Sequence, residues 1–119
     1  MIIESIVTTL NEAGGANFAP MGVTLGEGEV LIRPYKDSAT YRNLVATGAA
    51  VVNLTDNIRL FAESAISNQQ IPAFPAELVK GLVLTDACSY YECSVMHVDT
   101  ASERANFRCK IVKRGVLRE

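Results

Sequence analysis

At 119 residues, 49% hydrophobic and 20% charged, the chain has the size and composition of one folded domain and is not a disordered segment. Eleven Lys plus Arg against thirteen Asp plus Glu leave a net charge of −2, which removes the electrostatic basis for capturing nucleic acid. Three cysteines without C-x-x-C spacing and a single histidine cannot staff a zinc or iron–sulfur site, so Cys88, Cys93 and Cys109 read as unpaired thiols of a reducing, cytoplasmic setting.

The opening MIIESIVTTL is apolar, but Glu4 interrupts it and no basic segment precedes it. It is neither a signal peptide nor a membrane span, and no membrane partner is expected. Its Ile, Val and Thr content reads as a strand over 2–10 that stops at the turn Asn11-Glu12-Ala13-Gly14-Gly15. NFAPMGVTL then doubles back as a second strand. Pro20 cannot donate to a ladder and Gly22 permits close backbone approach, so the middle of this strand is expected to be an edge, a bulge or a ligand contact. EVLIRPY follows the tight GEGE turn and completes a three-stranded antiparallel meander.

Ser38 is placed to cap a helix of about ten residues, with Tyr41, Leu44 and Val45 at helical spacing and Gly48 where a left-handed C-cap belongs. The turn before it carries Lys36, Ser38 and Thr40. Unpartnered first-turn amides, two hydroxyls and one ammonium together suit a phosphate. Taken singly, Ser38 reads more simply as a cap and Lys36 as a solvated charge; it is the grouping that favours an anion cradle. AAVVNLT follows as a strand buried on both faces. Thr55 or Asp56 is expected to cap a second helix, with Ile58, Phe61, Ala62, Ala65 and Ile66 forming a packing stripe. SNQQIPAFPAEL reads as a surface loop that starts a short helix near Ala76.

Strand alternation resumes over 87–98, with Tyr91, Cys93, Val95 and His97 on one side and Glu92, Ser94, Met96 and Val98 on the other. After a turn near 100–104, Phe107, Cys109 and Ile111 alternate with Arg108, Lys110 and Val112, the pattern of a sheet with one wet face. His97 reads as a rim residue. Arg104, Arg108, Lys110, Lys113, Arg114 and Arg118 read as a solvated basic face. The chain is therefore mainly β, with at least six strands and two inserted helices, and a small, partly open split barrel is the expected architecture. No G-x-S-x-G, P-loop or converging carboxylates are present, so no catalytic side chain and no metal ligand is assigned. A phosphate cradle, an irregular strand at Pro20 to Gly22 and an apolar barrel beside them suit a phosphate-bearing cofactor with a flat ring system.

The runs IVTTLNEAGGANFAPMGV, RPYKDSATYRNL and VVNLTD resemble an uncharacterised, mainly archaeal family of flavin-reductase-like proteins with the FMN-binding split-barrel fold. The resemblance extends through YYECSV and the closing hairpin. It implies a homodimer with FMN at or near the subunit interface, where the strand over 17–22 runs along the isoalloxazine and the S-x-T segment holds the phosphate. Carried across residue by residue, Ala19, Pro20 and Met21, on the strand that starts at Asn17, would face the ring. Lys36, Ser38, Thr40 and Asn43 would hold the phosphate and ribityl end, and Asn53 would be structural. Members of the family continue past the closing hairpin into a helical segment, whereas this chain ends at VKRGVLRE, so one domain over 1–119, short of that segment, is expected. The resemblance implies a flavin-dependent oxidoreductase with unassigned substrate and electron donor. The alternative is a non-enzymatic FMN-binding module or a dimeric scaffold. Nucleic-acid binding through the basic closing hairpin lacks the interleaved aromatic residues that base stacking needs.

Overall fold

The computed structural model describes residues 1–66 and 70–118. In chain order these form β1 (Ile2–Leu10), β2 (Ala16–Leu25), β3 (Glu29–Ile32), α1 (Ala39–Thr47), β4 (Ala49–Leu54), α2 (Ile58–Ser64), β5 (Ala73–Pro75), β6 (Leu82–Leu84), β7 (Ser89–Asp99) and β8 (Asn106–Val116). Six strands close into a barrel in the order β1-β2-β3-β8-β7-β4, while β5 and β6 make a separate two-stranded sheet.

The expected meander is present. β1 and β2 pair from Ile2 with Thr24 to Leu10 with Ala16 without a register shift. Asn11 shapes their turn by accepting the N–H groups of Ala13 and Gly15 on its Oδ1, at 2.9 and 2.8 Å, while Gly14 takes φ +91°. β2 meets β3 at Thr24 and Leu25 only. Among the described residues, β2 over 16–23 therefore has β1 as its one strand neighbour. Of the three possibilities raised by Pro20, this is the edge and not the bulge.

Val7, Val23, Val30, Ile32, Val52 and Phe107 fill the barrel, and Leu44 of α1 closes one end with Tyr41 set edge-on to Phe107 at 5.8 Å. β4 is buried on both faces, as its apolar run predicts, because Ala50 and Val52 face this interior while Val51 packs under Val83 and Tyr90. A further cluster of Ile6, Leu60, Ile71, Leu84 and Ala87 joins the outer wall to α2. Asn53 ties these layers together: its Nδ2 donates to Ile6 O at 3.0 Å, and its Oδ1 accepts the Leu84 N–H at 2.9 Å.

Four expectations change. On α1 the buried residues are Thr40, Asn43 and Leu44, and Val45 is exposed, so the inward stripe is largely polar. Asn57, not Thr55 or Asp56, caps α2 by accepting the N–H groups of Arg59 and Leu60. The later start turns Leu60 and Ser64 to the barrel and leaves Ile58, Ala62, Ala65 and Ile66 exposed, with Phe61 half-buried. Near Ala76 there is no helix: 73–75 pairs with 82–84 as a strand, with Pro75 at its end where a missing N–H is tolerated. Residues 67–69 of the expected loop lie outside the described residues. Glu92 is fully buried, because a register shift between Glu92 and Cys93 breaks the alternation and the loop over 76–81 covers that face. The closing hairpin keeps its wet face, with Arg108, Lys110 and His97 exposed.

Candidate functional site

The open edge of β2 determines the site. Leu25 N–H donates to Met1 O at 2.7 Å and Asn11 N–H to Gly15 O at 2.8 Å, which fixes the phase of the antiparallel ladder. Odd-numbered β2 residues exchange bonds with β1, and Ala16, Phe18, Pro20 and Gly22 turn their backbone groups outward. Pro20 falls on an outward position, so its missing N–H removes no ladder bond. Phe18 and Gly22 present N–H groups along this edge, and Phe18, Pro20 and Gly22 present carbonyls.

A groove of about 900 Å³ runs beside the edge, between residues 14–20 on one side and 64–66 with Gln70 on the other. Strand alternation puts Ala19 and Met21 on the same face as Asn17, with Met21 packed on the barrel core. Pro20 shares the opposite face with Phe18, which packs on the cluster around Ile6 and Leu60.

Asn17, which borders the groove, belongs to a polar cluster that joins β1, β2 and α1. Asn17 Nδ2 donates to Thr40 Oγ1 at 3.2 Å, and Asn43 Nδ2 donates to Thr9 Oγ1 at 3.0 Å. Thr9, Thr40 and Asn43 are buried, and no buried side-chain polar atom among the described residues lacks a partner. Ser38 Oγ accepts the Tyr41 N–H at 3.2 Å and donates to Tyr35 O at 2.7 Å, so this hydroxyl caps α1. The Ala39 and Thr40 amides lie in the first turn, where the helix itself supplies no acceptor.

Lys36 stands apart from this cluster. Its Nζ donates to Thr100 O at 2.6 Å, and its N–H donates to Glu103 O. Arg104 Nε donates to Arg33 O at 2.7 Å, and its guanidinium lies 5.0 Å from the centre of the Tyr35 ring. Segment 33–37 is thus zipped to the loop over 99–105, and Lys36 borders a second groove of about 870 Å³ lined by 35–37 and 101–103. Of the eight residues named from the sequence, Asn17, Ala19 and Pro20 border the first groove, and Asn17 is joined directly to Thr40. Asn43 lies one helical turn further along, and Ser38 and Lys36 bond to other partners.

Phe18, Ser64 and Gln70 were not singled out by sequence reasoning and carry no periodic signal, while Ile66, read there as part of a packing stripe, lines the groove instead. Thr9 did leave a trace, as a polar residue within an otherwise apolar strand. The three thiols are unpaired. Burial pushes Cys109 up to about 12, and burial together with the neighbouring Cys109 and Glu92 raises Cys93 further, so both remain protonated packing groups. Among the described residues no cluster of His, Cys, Asp and Glu could hold a metal ion.

The profile of the family described as "Protein of unknown function (DUF447) N-terminal domain" matches residues 3–118. The chain belongs to this family. No curated protein matches the DUF447 domain by sequence. Among solved structures it is similar to nitrilotriacetate monooxygenase component B from Mycobacterium thermoresistibile, with a TM-score of 0.83 and 17% identity over 98% of this chain and 70% of that one. It is similar also to an FMN-binding protein from Thermus thermophilus, TM-score 0.82 and 16% identity over 97% and 70% of the two chains. Flavoredoxin of Desulfovibrio vulgaris (Miyazaki F) gives 0.82 and 16% over 96% and 69%. These similarities establish the fold: the DUF447 domain is a split barrel of the flavin-reductase-like type.

Proposed function

We propose that this DUF447 domain, one split barrel over 1–119, binds FMN along the open edge of β2 and acts as a flavin-dependent oxidoreductase. The observation that carries the reading is the edge itself: outward N–H and C=O groups over 16–22 border a groove and are joined through Asn17 and Thr40 to the start of α1. The residues present fit the group. A groove of about 900 Å³ is within the range of small-molecule sites. Its backbone donors and acceptors suit the polar edge of a flat heteroaromatic ring, and the first-turn amides of α1 suit a phosphate. The Thermus thermophilus protein of the same fold is FMN-binding by name, which supports the choice of cofactor.

When bound, FMN supplies the redox chemistry. The chain's own residues bind and orient it. The β2 edge would hold the ring, with Ala19 and Met21 on one face of the strand and Pro20 on the other. Asn17 keeps Thr40 in place, Ser38 holds α1 in register, and Thr40 and Asn43 would meet the ribityl and phosphate end. Lys36 would serve as counter-charge on exchanging Thr100 O for the phosphate.

One observation favours a second reading. No ionisable side chain borders the groove among the described residues, so the chain brings no acid or base of its own, as in a non-enzymatic FMN-binding module. Titration with FMN, followed by absorbance and fluorescence, tests binding. Anaerobic addition of NADH or NADPH then separates the readings, since bleaching of the bound flavin marks a reductase and its absence a carrier.

The working form in this proposal is a homodimer whose second copy covers the open side of the barrel, with a small-molecule redox partner and no nucleic-acid or membrane partner. A monomeric mass by light scattering at micromolar concentration would overturn it. No described helix is long and apolar enough to cross a membrane. The assignment to the cytoplasm rests on the three unpaired thiols.

A further inference from the structure

We infer that the substrate taken by the β2 groove is an uncharged small organic molecule, and that the groove discriminates against carboxylates and other small anions. This deepens the reading of the groove as a flavin site and rests on it. Two segments build the groove, and neither carries a charge. Residues 14–20 on one wall, and 64–66 with Gln70 on the other, include no Asp, Glu, Lys, Arg, His, Cys or Tyr. In a chain that is 20% charged, the neutral stretches have been brought together on one cleft.

The charges that bound these segments share one sign. The nearest charged residues along the chain are Glu12 and Glu27 for the first wall and Glu63 and Glu77 for the second, the last of them paired with Lys113. Glu4 pairs across β1 with Gly22, and its Oε1 lies 3.3 Å from where a Cβ on Gly22 would stand. Several basic groups are paired elsewhere: Lys113 with Glu77, Arg108 with Glu29 and Arg118 with Asp86.

A carboxylate entering the groove gives up hydrogen bonds to water and meets no cation on either described wall. A neutral molecule loses far less. Its apolar body can lie on Pro20 and Ile66, and a carbonyl or amide can bond to Gln70. The phosphate of the cofactor is consistent with this division, since it is assigned to the start of α1.

Benzamide and benzoate have the same ring and nearly the same volume, and differ by one charge. Binding is measured in the FMN-loaded protein by perturbation of the flavin absorbance, and in the flavin-free protein by ligand-observed NMR. Benzamide is expected to bind about tenfold or more tightly than benzoate, the discrimination that follows from losing one hydrogen bond to a charged group. Gln70→Lys, which adds a cation to the wall, is expected to raise benzoate affinity relative to benzamide. Benzoate binding as tightly as benzamide, or neither probe binding at millimolar concentration, overturns the inference. Failure of the FMN titration would instead refute the flavin reading, and the flavin-free arm would still decide the charge preference.

Discussion

Thr40→Val tests the link between the two halves of the proposed cofactor site. Thr40 is 2% exposed and accepts from Asn17 at 3.2 Å, so its hydroxyl couples the β2 edge to the first turn of α1. Valine keeps the branched shape and nearly the volume, leaves the Ser38 cap untouched, and removes that one oxygen. A net hydrogen bond contributes about 0.5–1.5 kcal/mol, and half-buried Asn17 can turn its amide toward water, so a loss near 1 kcal/mol is expected. At this chain length it corresponds to a fall in Tm of about 3–6 °C. In a cycle with Asn17→Ala the two changes should be less than additive by a similar amount. If the hydroxyl also meets the FMN phosphate, FMN loses a hydrogen bond to a charged group, about 1.5–3 kcal/mol, or roughly 10- to 100-fold in affinity. Riboflavin, which has no phosphate, should weaken far less. Equal weakening of the two ligands would place the phosphate elsewhere, and additive stability changes would show that the Asn17–Thr40 bond does not couple the two elements.

Gly115→Ala should destabilise by about 1–3 kcal/mol or more, because a Cβ there would lie 2.1 Å from Tyr90 Cζ across the β7–β8 pair; an unchanged denaturant midpoint would contradict the packing of that ring. Glu92→Gln should lower stability by about 1.5–3 kcal/mol. Its two carboxylate oxygens accept the Glu77 and Leu78 N–H groups at 3.0 and 2.6 Å, and an amide presents a donor to one of them. Chemical denaturation reads this directly, and a Gln variant as stable as the parent would rule out the buried carboxylate as the tether of that loop. Without reductant, three thiols should titrate in denaturant, whereas in the native protein Cys88 should react first, being half-buried beside two fully buried partners. Alkaline pH supplies another check. Cys109 stays protonated in the folded state up to about 12, while the unfolded chain releases the proton near 9.0, so this contribution is complete below 9.0 and is lost as pH rises through that window. Cys109→Ala should flatten the fall in stability there by up to about 1.4 kcal/mol per pH unit, and an identical slope would contradict the burial of this thiol.

Much of the fold is written locally. The first strand and its Asn11 turn, the Ser38 cap, Gly48 at φ +67°, the doubly buried run of β4 and the wet face at Arg108 and Lys110 all depend on residues close together in the chain. An irregularity at Pro20 was legible for the same reason, since a missing donor constrains pairing wherever the strand is placed, but the choice of edge over bulge came from the pairing itself. Less of the site was legible. The sequence assembled Lys36, Ser38 and Thr40 into one cradle, but the 33–37 segment pairs with a loop more than sixty residues away, which turns Lys36 toward Thr100 and leaves Thr40 facing Asn17.

Propensity and capping act over a few residues and therefore determined which elements exist and where most of them begin. Which face of an element is buried depends instead on what the rest of the chain brings against it. The tertiary structure alone turned Leu60 rather than Ile58 to the barrel, made a strand of 73–75 by supplying 82–84 as its partner, and buried Glu92 by shifting the register of β7 against β8. It also limited the contact between β2 and β3 to Thr24 and Leu25. That short closure leaves the β2 edge open, and long-range register, which no local pattern encodes, is what placed 64–66 and Gln70 across from it to make the groove.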